Sequence, residues 1–156
     1  MIELLPEYDP LFFKHPSTRY TIITGGRGSA KSFHVALAVL NISYEPGHVI
    51  LYLRYTMTSA KDSIIPEFKD KINLLKKEGD FEVTANEIVN KKSGSRILFR
   101  GIRTSSGNQT AKLKSIQGLT MLVVEEAEEA DNGSDFETID NSVRTRDMPN
   151  RVWVVM

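Results

Sequence analysis

Two clusters in this sequence have the residue types and the spacing to hold and cleave a polyphosphate. The first is Gly25-Gly26-Arg27-Gly28-Ser29-Ala30-Lys31-Ser32, directly after the apolar run Tyr20-Thr21-Ile22-Ile23-Thr24. Small residues let backbone N–H groups approach an anion closely, and a following helix N-terminus adds its positive end. A lysine then reaches the β- and γ-phosphates and a hydroxyl binds Mg²⁺, which is the chemistry of the pattern G-x-x-x-x-G-K-[ST]. Gly25 opens the pattern and Lys31-Ser32 closes it, while Ala30 stands where the pattern has glycine. The expected ATP-binding set is therefore Gly25, Gly26, Arg27, Gly28, Ser29, Ala30, Lys31 and Ser32, with Lys31 also catalytic. Arg27 is a charge inside the loop that reaches the γ-phosphate or a neighbouring subunit, or else is only solvated. The bland alternative for the whole segment is a glycine-rich turn between a strand and a helix with an exposed lysine.

The second cluster is Met121-Leu122-Val123-Val124-Glu125-Glu126, four apolar residues running into two carboxylates. Parallel sheets bind ligands at the carboxyl ends of their strands. Glu125 there orders the Mg²⁺ shell together with Ser32, and Glu126 acts as the base that orients the attacking water. An acidic helix start, favoured by the helix dipole, explains Glu128 and Glu129 but not acids that touch a fully apolar strand. The two clusters together point to an ATP hydrolase that uses ATP and Mg²⁺.

The elements that must position these groups are legible as periodicities. Strand-length apolar runs recur at Tyr20–Thr24, His48–Leu53, Met121–Val124 and Val152–Met156, as buried parallel strands do. Between the first two, apolar residues from Lys31 to Leu40 nearly surround the axis of a helix packed on a sheet, and Pro46-Gly47 ends the connection. A second amphipathic segment runs from about Ser59 to Lys77, with Pro66 restarting or kinking it. Phe81–Asn90 and Arg96–Gly101 flank Lys91-Lys92-Ser93-Gly94-Ser95 and read as a hairpin. Arg103 to Leu119 is polar and poorly periodic, so it reads as a loop. The long interval between Lys31 and Glu125 leaves room for an extra strand between the two motif strands. The expected fold is thus α/β, a P-loop NTPase three-layer sandwich with a mostly parallel central sheet, that extra strand, and a β-hairpin insertion.

A chain of 156 residues with 40% hydrophobic and 26% charged residues suits one ordinary globular domain. Twenty Lys plus Arg balance twenty Asp plus Glu, so any nucleic-acid contact must come from a local patch. The absence of cysteine removes disulfides, thiolate metal sites and thiol catalysis. The N-terminal residues lack the basic flank and apolar stretch of a signal peptide, and no window approaches the ~18 apolar residues that span a bilayer. A soluble, cytoplasmic protein without a membrane segment is expected.

Taken in order, these segments resemble the ATPase domain of the large terminase subunit of tailed bacteriophages. The resemblance is carried by Gly25–Ser32 with its internal Arg27, by Ile97-Leu98-Phe99-Arg100-Gly101, by Lys112-Leu113-Lys114-Ser115-Ile116, by Val124-Glu125-Glu126-Ala127 and by Ser142-Val143-Arg144-Thr145. It covers nearly the whole chain. It implies an ATP-driven translocase for viral double-stranded DNA, working in the host cytoplasm as a homo-oligomeric ring on the portal protein of the procapsid, with the small terminase subunit as a partner. It also implies that residues 1–156 are the ATPase domain of a longer protein, with a nuclease domain that this fragment lacks. Two readings stay open beside it: another P-loop motor such as a helicase-like protein, and a nucleotide-dependent interaction module whose Ala30 and Glu125 mark a degraded site.

Other residues have weaker claims. Arg144 follows the acidic motif and precedes the last strand, so it is expected on the rim of the sheet. There it serves a neighbouring subunit as an arginine finger, with Arg146 or Arg27 as competitors and plain surface charge as the alternative. Lys112 and Lys114, with Arg100 and Arg103, form a basic region that touches DNA phosphates or is only solvated. Phe12, Phe13 and Tyr20 are candidates for the base pocket but read more simply as core. His15 and His34 have no partners in sequence, and Asp131, Asp135 and Asp140 read as surface.

Overall fold

The four apolar runs become the parallel centre of one sheet in a computed structural model, which describes residues 2–13, 18–56, 60–104, 107–108, 113, 115–127 and 133–156. The strands are β1 (Tyr20–Ile23), β2 (Val49–Thr56), β3 (Phe81–Val83), β4 (Glu87–Asn90), β5 (Arg96–Thr104), β6 (Gly107–Asn108), β7 (Met121–Glu125) and β8 (Arg151–Val155). Their order is β1-β8-β7-β2-β5-β4-β3, with β6 beside β5. From β1 to β5 every neighbouring pair is parallel, whereas β5/β4, β4/β3 and β5/β6 are antiparallel. An extra strand does lie between the two motif strands, but it is β8, the last in sequence, inserted between β1 and β7, and not a strand from the interval between Lys31 and Glu125, whose strands lie beyond β7.

Helix α1 (Asp9–Phe12) is a single turn, α2 (Lys31–Ile42) follows the glycine-rich loop, α3 (Ile65–Leu74) follows β2, and α4 (Gly133–Asp140) precedes β8. One face of the sheet is buried under α2 and α3, with Val35, Val39, Phe68 and Ile72 packed against Ile50, Phe99, Val123 and Trp153. On the other face Phe136 and Ile139 of α4 meet Leu51, Leu122, Val124 and Val152. This alternation along β8, with Val152 on one side and Trp153 on the other, is what a strand buried on both faces requires. The result is the three-layer sandwich anticipated above.

The structure revises several boundaries. β2 runs three residues past the expected end and so carries Arg54 into the sheet. The segment expected as one helix is a π-helical turn, Ala60–Ile64, followed by α3 with Pro66 in its first turn, where a missing N–H costs no hydrogen bond. Phe81–Asn90 is two strands joined by a tight turn closed by Thr84 N–H donating to Glu87 O at 2.9 Å. The interval read as a loop from Arg103 is in part strand, because β5 extends to Thr104 and turns back into β6; hydrogen bonding to β2 and β6 outweighs its polar composition. Asp140, read as surface, is paired with Arg19 at 2.9 Å and accepts from Tyr20 Oη at 2.9 Å. His15, Lys112, Lys114, Glu128, Glu129 and Asp131 lie outside the described residues. No helix among the described residues is long and apolar enough to cross a membrane.

Candidate active site

The loop Thr24–Ala30 leaves the end of β1 and turns directly into α2, and its geometry depends on small residues. A Cβ at Gly25 would stand 2.8 Å from Ser29 Oγ, and Gly28 has φ +82°. Ala30 occupies the left-handed region, φ 59° and ψ 23°. The glycine of the pattern is there to adopt that conformation freely; alanine adopts it at a cost of about 1 kcal/mol. The departure from the pattern is therefore a strained loop of the same shape, not a different loop.

Four contacts that sequence gives no hint of hold this strain in place. Tyr8 donates its hydroxyl hydrogen to Ser29 O at 2.7 Å. His34, buried in the first turn of α2, stacks on Tyr8 with ring centroids 4.2 Å apart. Its Nδ1 lies 2.8 Å from Ala30 O, and its Nε2 accepts the Leu5 N–H at 3.1 Å. An acceptor role at Nε2 leaves the proton on Nδ1, so the ring is a neutral tautomer that donates to Ala30. His34, given no role from sequence, thus fastens the phosphate loop to the N-terminal segment. Lys31 donates to Gly25 O, to Gly26 O at 3.3 Å and to Ser29 Oγ at 3.4 Å, which keeps its ammonium inside the curl of the loop.

Across the sheet, β7 delivers its two carboxylates to the same place. A cavity of about 570 Å³, within the usual range for small-molecule sites, is lined by all eight residues Gly25 to Ser32 together with Phe33, Glu125, Glu126, Val155 and Met156. The Ser32 side chain stands beside Glu125 on the wall of this cavity. Glu125 is buried, and that burial pushes its carboxyl above the ordinary range against the opposing pull of Ser32 and Arg54; Glu126 and Glu67 add to the rise. Glu126 is more open, with 38% of its side chain exposed, and sits at φ 53°. A non-glycine residue in that region at a site of this kind is a common place for functional strain.

Arg54 is the functional residue that the motifs missed. It donates to Glu126 Oε1 and to Ser63 Oγ, and its Nε lies 4.0 Å from Glu125 Oε2. One guanidinium thus bridges both acids, and the only sequence signal was a charged residue at the end of an apolar run. The oxygens present suit Mg²⁺, which takes one or two protein oxygens and completes its shell with phosphate and water. Ser32 and Glu125, side by side on the cavity wall, are the residues that could supply them.

The remaining expected residues fall elsewhere. Arg27 is exposed on the cavity wall. Arg144 is exposed in the turn between α4 and β8, with Nη2 2.5 Å from Asn141 Oδ1. That turn is tied to the start of β1 by Arg19, which donates to Val143 O and Asp140 O at 2.9 Å each. Because the strands are parallel, Arg144 lies at the opposite end of the sheet from its own phosphate loop. Arg100 is occupied by Asn86 O at 3.0 Å and Phe99 O at 2.7 Å.

Comparison with known proteins agrees with this architecture. The sequence profile of a family described as "Phage terminase large subunit" matches residues 17–156. The PBSX phage terminase large subunit of Bacillus subtilis (strain 168) is 27% identical over 128 residues, covering 81% of this chain and 28% of that protein. The terminase large subunit of Bacillus phage SPP1 is 26% identical over 134 residues, covering 82% of this chain and 31% of that protein. The chain thus spans under a third of the length of these curated relatives. Among solved structures, the large terminase of a thermophilic bacteriophage superposes with a TM-score of 0.77 at 11% identity over 96% of this chain and 38% of that one. The same enzyme in complex with ATP-gamma-S gives a TM-score of 0.71 at 10% identity, over 96% of this chain and 37% of that one.

Proposed function

The chain belongs to the phage terminase large subunit family, and from that premise we propose that it is the Mg²⁺-dependent ATPase domain of a motor that drives viral double-stranded DNA into a procapsid. The observation that carries the proposal is the convergence of Lys31, Ser32, Glu125 and Glu126 on one cavity. In this reading the N–H groups of the loop and of the first turn of α2 bind the phosphates, and Lys31 places a point charge on the β- and γ-phosphates. Ser32 and Glu125 hold Mg²⁺, which when bound neutralises charge on the phosphate oxygens. Glu126 takes the proton from the attacking water, and Arg54, which donates to Glu126, holds that carboxylate in place. Arg144, remote from its own loop, serves the neighbouring subunit of a ring. Viral DNA, the portal protein, the small terminase subunit and the host cytoplasm complete the proposal as what membership of the family implies.

The experiment is phosphate release from ATP by the purified chain with and without Mg²⁺. The wild-type chain should hydrolyse ATP only with the metal, and Lys31→Ala should abolish turnover. Undiminished hydrolysis by Lys31→Ala would remove the loop from the mechanism.

A further inference from the structure

We infer that Glu67 is a positioning residue of the metal site: its carboxylate, together with the Tyr52 hydroxyl, accepts hydrogen bonds from the water ligands of a Mg²⁺ that Ser32 and Glu125 hold. The inference rests on the reading of Ser32 and Glu125 as the metal-holding pair and extends it from the phosphate side of the metal to its water side.

A second, smaller cavity carries it. This cavity, of about 170 Å³, has Ser32, Tyr52, Arg54, Ser63, Glu67 and Glu125 in its walls. Ser32 and Glu125 belong to the walls of the larger cavity as well, so the pair has phosphate space on one side and this second space on the other. Mg²⁺ gives up its water reluctantly and keeps several water ligands when a protein binds it. At ~30 Å³ for each water, the second cavity has room for them.

Water bound to a cation donates its hydrogens, so the walls must supply acceptors. Arg54 has only N–H donors, and these are given to Glu126 and Ser63. Glu125 is already the metal's own ligand in this reading. Of the polar side chains named, the Glu67 carboxylate and the Tyr52 hydroxyl are then the acceptors that remain. Tyr52 is 1% exposed, and its hydroxyl makes no hydrogen bond to any described residue. A buried hydroxyl without a partner is costly, and water in the cavity is the partner within its reach. Burial pushes the phenol well above its ordinary range, and the charges of Glu125 and Glu67 add to the rise against Arg54, so the group stays a neutral hydroxyl.

Glu67 is held for the same task. It stands in the first turn of α3, and its Oε1 accepts from Lys71 Nζ, one turn further on, at 2.7 Å. Lys71 is itself buried, with Nζ 4.4 Å from the centre of the Phe33 ring, so the pair is fixed by packing and not a loose surface contact. A carboxylate has about four acceptor positions, and one ammonium leaves the others for water. Partners of this kind orient a metal's ligands, and losing one typically lowers metal affinity about 10–100-fold.

The test follows binding, not turnover, with Mn²⁺ in place of Mg²⁺ and electron paramagnetic resonance as the readout. In the presence of ADP, Glu67→Gln should bind Mn²⁺ about ten-fold more weakly than the wild-type chain, and Tyr52→Phe should weaken it in the same direction. ADP affinity without metal should stay as in wild type for both. Wild-type Mn²⁺ affinity in Glu67→Gln, or a loss of metal-free ADP affinity as large as the loss for Mn²⁺, overturns the inference. Should Glu67→Gln melt because Lys71 is left buried without its partner, Lys71→Met is compared with Glu67→Gln/Lys71→Met. Weaker Mn²⁺ binding by the double variant supports the contact, and equal binding overturns it. Ser32→Ala separates this inference from its premise: loss of Mn²⁺ there with none in Glu67→Gln leaves the Ser32 and Glu125 pair standing, whereas a wild-type chain that binds no Mn²⁺ beside ADP strikes that pair and this inference with it.

Discussion

Ser32 stands beside the Glu125 carboxylate on the wall of one cavity, bringing the helix that follows β1 to the end of β7 across the intervening strand β8. The contact makes one oxygen-lined corner from two distant parts of the chain. It also sets a conflict, since Glu125 is buried and its carboxyl is raised above the ordinary value of 4.5. A raised acid binds its proton more tightly when folded than when unfolded. Ionised Glu125 therefore costs stability above its folded pKa, and the cost disappears as pH falls below about 4.5. Glu125→Gln should melt no lower than wild type at pH 7 without ligand, yet gain less from Mg-ATP than the wild-type chain, whose midpoint the nucleotide should raise. Thermal melts with and without Mg-ATP check this; a mutant that gains as much as wild type shows that Glu125 does not hold the metal.

Glu126→Gln separates the second acid from the first. The substitution preserves shape and should leave nucleotide affinity close to wild type while turnover falls about 10²–10⁴-fold, the usual worth of a positioned base. Single-turnover phosphate release, run beside an ATP titration, distinguishes the two effects. A large loss of affinity with little loss of turnover reverses the assignment of the pair.

Arg54→Leu removes the cation that bridges both carboxylates. Its field lowers the Glu125 pKa, so its removal should raise it and leave two acids facing each other without compensation. The acid limb of the pH–rate profile should move to higher pH than in the wild-type chain. An acid limb that stays put, measured at saturating ATP, shows that Arg54 has no electrostatic hold on the reacting carboxylates.

Ala30→Gly restores the residue that the left-handed backbone at φ 59° favours. Relief of strain should exceed the extra entropy lost by glycine, for a net gain of up to about 1 kcal/mol in unfolding free energy. Denaturant titration measures it. A clear loss of stability instead would mean that the alanine methyl makes a contact worth more than the strain.

Arg144→Ala subunits mixed with Glu126→Gln subunits test the role in trans in assembled rings of the full-length motor. Each variant should be inactive alone, and mixing should recover hydrolysis, because some interfaces then pair an intact Glu126 with an intact Arg144 from its neighbour. An Arg144→Ala ring that hydrolyses normally removes this residue from the mechanism.

Motif chemistry and hydrophobic period were enough to locate the glycine-rich loop, the two acids at the end of β7 and four of the parallel strands, while β5 was read only as a hairpin arm. Each depends on a few consecutive residues, because a loop that wraps an anion and a strand that is buried on both faces impose local rules. The resemblance carried by the same segments named the family as well. Tertiary structure alone decided that β8, last in sequence, lies between β1 and β7, since strand order follows from how the sheet buries both its faces and leaves no local mark. It alone brought Arg54 to both carboxylates and set Tyr8 and His34 behind the strained Ala30. Those relationships are hydrogen bonds and distances between residues tens of positions apart, and no spacing within a single segment encodes them.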